Sequence, residues 1–170
     1  ISGLVGSEMC IRDRNTTADG IIATLVSSVD QVSLDADAGD ILVGSITAAT
    51  TATVNADAGS INDAVDDSGA PVVDITAPTI DLDAATGIGN TAPLELSGTS
   101  LSADNSGGGA VDIDNISAVD VTVTSISTIG SPVMFDQSGG GDVTFVGPIT
   151  SGTGGTCLLY TSDAADEGSS

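Results

Sequence analysis

Leu34-Asp35-Ala36-Asp37-Ala38-Gly39-Asp40-Ile41 returns as Val54-Asn55-Ala56-Asp57-Ala58-Gly59-Ser60-Ile61, so that Leu34 corresponds to Val54 and Ile41 to Ile61. Each copy alternates apolar and polar side chains, then turns on a glycine and restarts on isoleucine. Alternation of period two is the signature of a strand with one buried face. Looser copies follow: Leu82–Ile88 is echoed by Leu101–Gly107, and Ser106–Val111 by Ser138–Val143. A period near 20 fits one rung of a β-solenoid, about three short strands joined by tight turns and stacked on the next rung. Roughly seven such rungs at the ~4.8 Å spacing of stacked strands make a rod of about 30–35 Å.

The rest of the chain agrees. Period-two runs recur at Val32–Leu34, Ile80–Leu82, Leu94–Leu96, Val111–Ile113, Val119–Val123 and Val143–Phe145. Turn formers separate them at Ala38–Asp40, Asp67–Gly69, Gly87–Asn90, Ser106–Gly109 and Ser138–Gly141. No segment sustains a 3.6-residue period with helix caps. The expected class is all-β, a right-handed parallel β-helix (β-solenoid) with rungs of about 20 residues. A β-sandwich is the alternative. Small inward residues (Ala, Val, Ile, Leu, Thr) suit a narrow interior. A sandwich would use longer strands and aromatic anchors, whereas only Phe135 and Phe145 are present between residues 15 and 156.

The two ends read differently. Met9–Arg14, with two bases of the Glu8 codon, can be encoded by AG ATG TGT ATA AGA GAC AG. The reverse complement translates to Cys-Leu-Leu-Tyr-Thr-Ser, which is Cys157–Ser162. The two ends can therefore be inverted copies of one DNA element, and that element resembles the transposase-recognition end of sequencing-library adapters. Leu4–Glu8 and Asp163–Glu167 resemble the outer adapter arms. Residues 1–14 and 157–170 are accordingly expected to be adapter-derived, and 15–156 to be the β-solenoid repeat. Cys10 and Cys157 then form neither a disulfide nor a redox pair. The chain opens on Ile1 without an initiator Met, which reads as an internal fragment of a longer protein.

Charge narrows the function. The 170 residues carry 24 acids against two Arg, with no His, for a net charge of -22. Between Asn15 and Thr156 lie 19 acids and no positive side chain. Absence of His and Lys removes imidazole bases, imidazole metal ligands and Schiff-base nucleophiles. Such a surface repels phosphate backbones and anionic lipids. No apolar run approaches the ~18 residues of a membrane span.

The candidate chemistry is sparse. Asp35, Asp37 and Asp40 alternate as in calcium loops, with Asn55, Asp57 and Ser60 as a weaker copy, but no bidentate Glu follows. A turn whose Asp side chains accept backbone hydrogen bonds is the favoured explanation. Asp66-Asp67 and Asp112/Asp114 are the tight carboxylate pairs a glycosidase would need. No cation or aromatic platform accompanies them, so they read as solvated acids. Ser106–Gly109 and Gly139–Gly141 lack the following helix and Lys of a phosphate loop and read as turns. No catalytic, cofactor or metal residue is assigned, and an enzyme is not expected.

From Ala84 to Gly147 the wording is similar to a known family. Ala85-Thr86-Gly87-Ile88-Gly89-Asn90, Pro93-Leu94, Thr99–Asn105, Gly107–Gly109, Ile113–Asn115 and Gly139–Phe145 resemble a recurring pattern of filamentous-haemagglutinin-like bacterial exoproteins. The resemblance implies a right-handed β-helix in a very large secreted or cell-surface protein, often adhesive, and carries no functional residues. The leading expectation is a shaft segment of such an adhesin, without catalysis. It would stack on neighbouring rungs of its parent chain, insert in no membrane and bind no nucleic acid. The alternative is a calcium-stabilised binding or surface-layer module, since bound calcium would relieve the acid repulsion.

Overall fold

The computed structural model describes residues 4–5, 10–65 and 72–161. Among them there is no helix, and every strand pairing is parallel. The chain winds through about 7 turns of about 21 residues, a β-solenoid.

One wall is formed by Cys10–Asn15, Gln31–Ala36, Thr51–Ala56, Thr79–Ala84, Ser100–Asn105, Val121–Ser127 and Val143–Phe145, stacked in chain order. Leu34 lies against Val54, reproducing the strongest repeat read from the sequence. Every second side chain of this wall points inward and makes a column. The first runs Ile11, Val32, Ala52, Ile80, Leu101, Val123. The next continues Leu34, Val54, Leu82, Ala103, Ile126. A small Ala52 sits between Val32 and Ile80, and Ala103 between Leu82 and Ile126, so volume is balanced along the axis as close packing requires.

A second wall carries Leu4–Val5, Val26–Ser28, Ile46–Ala48, Ile75–Thr76, Leu94–Ser97, Val111–Ile116, Val133–Ser138 and Cys157–Thr161. A third, shorter face holds Ile21–Ala23, Ile41–Val43 and Ile61–Asp63. The lower turns thus have three strands, as expected. The upper turns have two, which corrects that expectation. Gly44-Ser45 breaks Ile41–Val43 from Ile46–Ala48, whereas the unbroken alternation Val111-Asp112-Ile113-Asp114-Asn115-Ile116 runs through the corner as one strand. Continuity survives this change. Backbone N–H groups of Ile21, Ile41, Ile61, Ile88, Val111 and Val133 donate in turn to Asp40, Ser60, Gly87, Ala110, Pro132 and Thr156.

Two of the looser repeats are not structural registers. Leu82 lies against Ala103, not Leu101. Val111 pairs with Val133 and Val143 with Val121, so the echo of Ser106–Val111 in Ser138–Val143 spans no whole turn. Its two glycine-rich copies are opposite corners: Ser106–Gly109 leads from the first wall to the second, Ser138–Gly141 from the second back to the first. The interior also differs from expectation by holding amides. Asn105, Asn115 and Gln137 are almost fully buried. Asn115 Nδ2 donates to Gln137 Oε1 (2.7 Å) and Gly98 O, while its Oδ1 accepts from Gly98 N. These bonds satisfy groups whose burial is costly when they lack partners.

The strands Cys10–Asn15 and Cys157–Thr161 join the stack near its two ends. Cys10 and Cys157 are exposed and free, on different walls. Asp66-Asp67 and the turn Asp67–Gly69 lie outside the described residues.

Candidate functional site

The acids are arranged turn over turn, and hydroxyls of the next turn meet four of them, Asp30, Asp40, Asp81 and Asp104. Thr50 Oγ1 donates to Asp30 Oδ1 (2.9 Å), and Ser60 N and Oγ donate to Asp40 Oδ1 (both 2.8 Å). Ser102 Oγ donates to Asp81, and Asp104 accepts from Ser125 (2.7 Å) and Ser127 (2.6 Å). Each pair sits one turn apart. At these four positions the acid is spared a charge directly above it, whereas Asp83 stacks on Asp104, and Glu95, Asp114 and Asp136 follow one another.

The calcium-like loop does not close on itself. Asp40 turns to Ser60, and Asp35 and Asp37 instead meet Asp57 of the next turn, one carboxylate oxygen from each lying within 4.8 Å of the others. Asn55 Nδ2 donates to Asp57 Oδ1 (2.9 Å). Arg14 lies over the group, its Nη2 2.7 Å from Asp37 Oδ1 and its Nε 3.8 Å from Asp35 Oδ2. Asp37 in turn helps hold the Arg14 proton more firmly than usual. This is a solvated ion pair, worth little in stability.

Asp112 and Asp114 share one face of Val111–Ile116, half-buried. Burial, then the charge of Asp114, pushes the Asp112 carboxyl up to about 6. Burial and Asp136, its neighbour one turn on, push Asp114 upward as well. An acid whose folded pKa lies above its unfolded value near 3.8 stabilises the fold in its protonated form, and that contribution is lost as pH rises toward and through the folded pKa. The melting temperature is therefore expected to fall between about pH 4 and about pH 6.5, and Asp112→Asn to flatten that fall. Thermal melts of both proteins across this range check it. Equal slopes would contradict the assignment.

A cluster the sequence did not reveal lies beside the longest turn. Along the first wall Gln31 is followed by Thr51 and Thr79 by Ser100, but between them the step from Thr51 to Thr79 is markedly longer. Asp63 ends the strand Ile61–Asp63, Asp74 precedes Ile75–Thr76, and Glu95 lies within Leu94–Ser97. Their exposures are 8%, 4% and 1%, and one carboxylate oxygen from each lies within 4.8 Å of the other two. Backbone bonding fixes two of them: Asp74 N donates to Glu95 O (2.8 Å) and Glu95 N to Asp74 Oδ2 (3.1 Å). Asp63 Oδ1 accepts from Val65 N (2.8 Å), while its Oδ2 is buried with no hydrogen-bond partner among the described residues. Burial pushes the Asp74 carboxyl up to about 8, opposed by the Glu95 N–H and reinforced by Asp63 and by the Glu95 carboxylate. The only sequence signal for this group is the break in the repeat period between Ile61 and Thr79.

The glycine-rich corners behave as turns: Gly109 N donates to Ser131 Oγ (3.0 Å) and Gly141 N to Ser117 O (3.0 Å). Among the described residues no helix is long and apolar enough to cross a membrane. Compared with protein-family models, with curated proteins and with solved structures, the chain matches none.

Proposed function

We propose that this chain is a segment of the repetitive shaft of a secreted or surface-anchored, filamentous-haemagglutinin-like adhesin, whose work is mechanical rather than catalytic. The observation that carries the reading is the unbroken axial stack. One column of backbone hydrogen bonds climbs from Ile21 to Val133 even where a turn gains extra residues and where three faces become two. Each turn presents the next with an open strand edge, so further turns can be added along the axis. Such a rod, about 30–35 Å for seven turns, holds a distal region away from a surface.

The wording of Ala84–Gly147 supports the same reading, and the acidic outer face would keep neighbouring shafts apart. A calcium-stabilised binding or surface-layer module is the second reading, favoured by the buried acids Asp63, Asp74 and Glu95. Reading the source DNA outward in both directions tests the shaft: further rungs of the same period are expected on each side.

A further inference from the structure

We propose that Asp63, Asp74 and Glu95 form a binding site for one divalent cation, calcium by its donor chemistry, set between successive turns of the solenoid. The geometry suits an ion held in common. Oxygens bound to calcium lie about 2.3–2.6 Å from it, so two on opposite sides are about 4.6–5.2 Å apart. The three carboxylates each bring an oxygen within 4.8 Å of the others. Asp63 adds an independent sign: the residue is more than nine-tenths buried, Val65 N occupies its Oδ1, and Oδ2 has no hydrogen donor among the described residues. A buried carboxylate oxygen in that state is costly unless something positive meets it.

The chain supplies no side chain for that purpose. It contains no Lys and no His, and its two Arg lie on Cys10–Asn15, where Arg14 is engaged with Asp35 and Asp37. A donor set made only of carboxylates suits a hard cation. Irregular placement on or beside three strands suits calcium, whose shell is flexible, better than magnesium, which demands a near-ideal octahedron. An ion here would tie Ile61–Asp63, the start of Ile75–Thr76 and Leu94–Ser97 together at the turn whose length departs most from the period. The site stands apart from the shaft reading, and the DNA test of that reading leaves it untouched.

The test uses the full chain, stripped with EDTA and titrated with calcium chloride by calorimetry, with melts in calcium and in EDTA. Saturable binding of one ion is expected, and the melting temperature should rise by about 5–10 °C at a hundredfold excess over Kd. Asp63→Asn should abolish both effects, yet melt at least as high as the parent in EDTA, because one buried like charge is gone. Glu95→Gln should behave the same way, which guards against either variant failing to fold. Asp57→Asn should retain calcium binding, separating this site from the Asp35–Asp37–Asp57 group. No saturable heat together with equal melting in calcium and EDTA would overturn the proposal. So would retention of binding by Asp63→Asn and Glu95→Gln, or its loss in Asp57→Asn alone.

Discussion

Phe135→Ala is expected to destabilise the fold by about 3–5 kcal/mol, the range for emptying a buried aromatic site. Phe135 is the largest fully buried side chain among the described residues, in a column with Leu94 and Ile113. Its ring meets that of Phe145 edge-on, with centroids 6.0 Å apart and planes at 76°. The interior of a solenoid is narrow, and its walls are tied by hydrogen bonds along the axis. They cannot close on a missing ring without breaking those bonds, so the cavity should persist. Phe145→Ala should cost clearly less, because Phe145 is 37% exposed and its strand is short, Val143–Phe145. Urea unfolding of both variants checks the ranking, and equal losses would place the aromatic contact outside the core.

Gly109→Val should cost about 4 kcal/mol or more, from backbone strain and lost buried hydrogen bonds together. Gly109 has φ of 125°, which an L side chain rarely adopts, and a Cβ there would stand 2.0 Å from the Thr86 carbonyl oxygen of the turn below. Its own carbonyl accepts from Asn105 Nδ2 (2.9 Å) and Thr128 Oγ1 (2.6 Å), so moving it also disturbs the buried Asn105. Gly108 provides the control. No atom of the described residues lies within 4 Å of a Cβ at that position, and Gly108→Ala should change stability by no more than about 0.5 kcal/mol. Chemical denaturation of the two variants separates corner geometry from loss of a glycine as such. A mild effect at Gly109 would mean that adjacent turns are not in contact there.

Much of the fold was legible because the solenoid repeats its own chemistry. Leu34–Ile41 and Val54–Ile61 occupy equivalent positions because both copies have the same corner, Ala-Gly followed by a polar residue and isoleucine. Runs such as Ile80–Leu82 and Val111–Ile113 are strands for the reason the alternation gives. Where matching letters misled, register was set by hydrogen bonds instead. Leu82 and Leu101 look alike, but in the parallel ladder Leu101 stacks on Ile80 and Ala103 on Leu82, all four inward. The glycine-rich corners at 106–109 and 138–141 share composition because any tight corner wants it, whichever wall comes next.

The polar interior was not legible. Asn115 follows Val26, Ile46, Ile75 and Leu96 in one inward column, and Gln137 follows it. The alternation of Val111 and Ile113, and of Val133 and Phe135, places both on the inward face, but an amide there reads as the end of the buried run rather than as its continuation. Their partners, Gly98 and Ser117, come from neighbouring turns. The same holds for Asp63, Asp74 and Glu95, separated in sequence and gathered only by the winding of the chain. Asp35 and Asp37 stand out in the sequence because they are close neighbours, yet the group they join includes Asp57 and not Asp40.

The measurement that tests the shaft most directly is the source DNA, read outward in both directions with adapter sequence removed. Met9–Arg14 and Cys157–Ser162 are expected to disappear from the native frame. Turns of the same period should then continue on each side, with inward apolar columns in register with Ile21 and Val133. A frame that encodes Cys10, Arg12, Arg14 and Cys157 and passes at once into sequence without that period would contradict it.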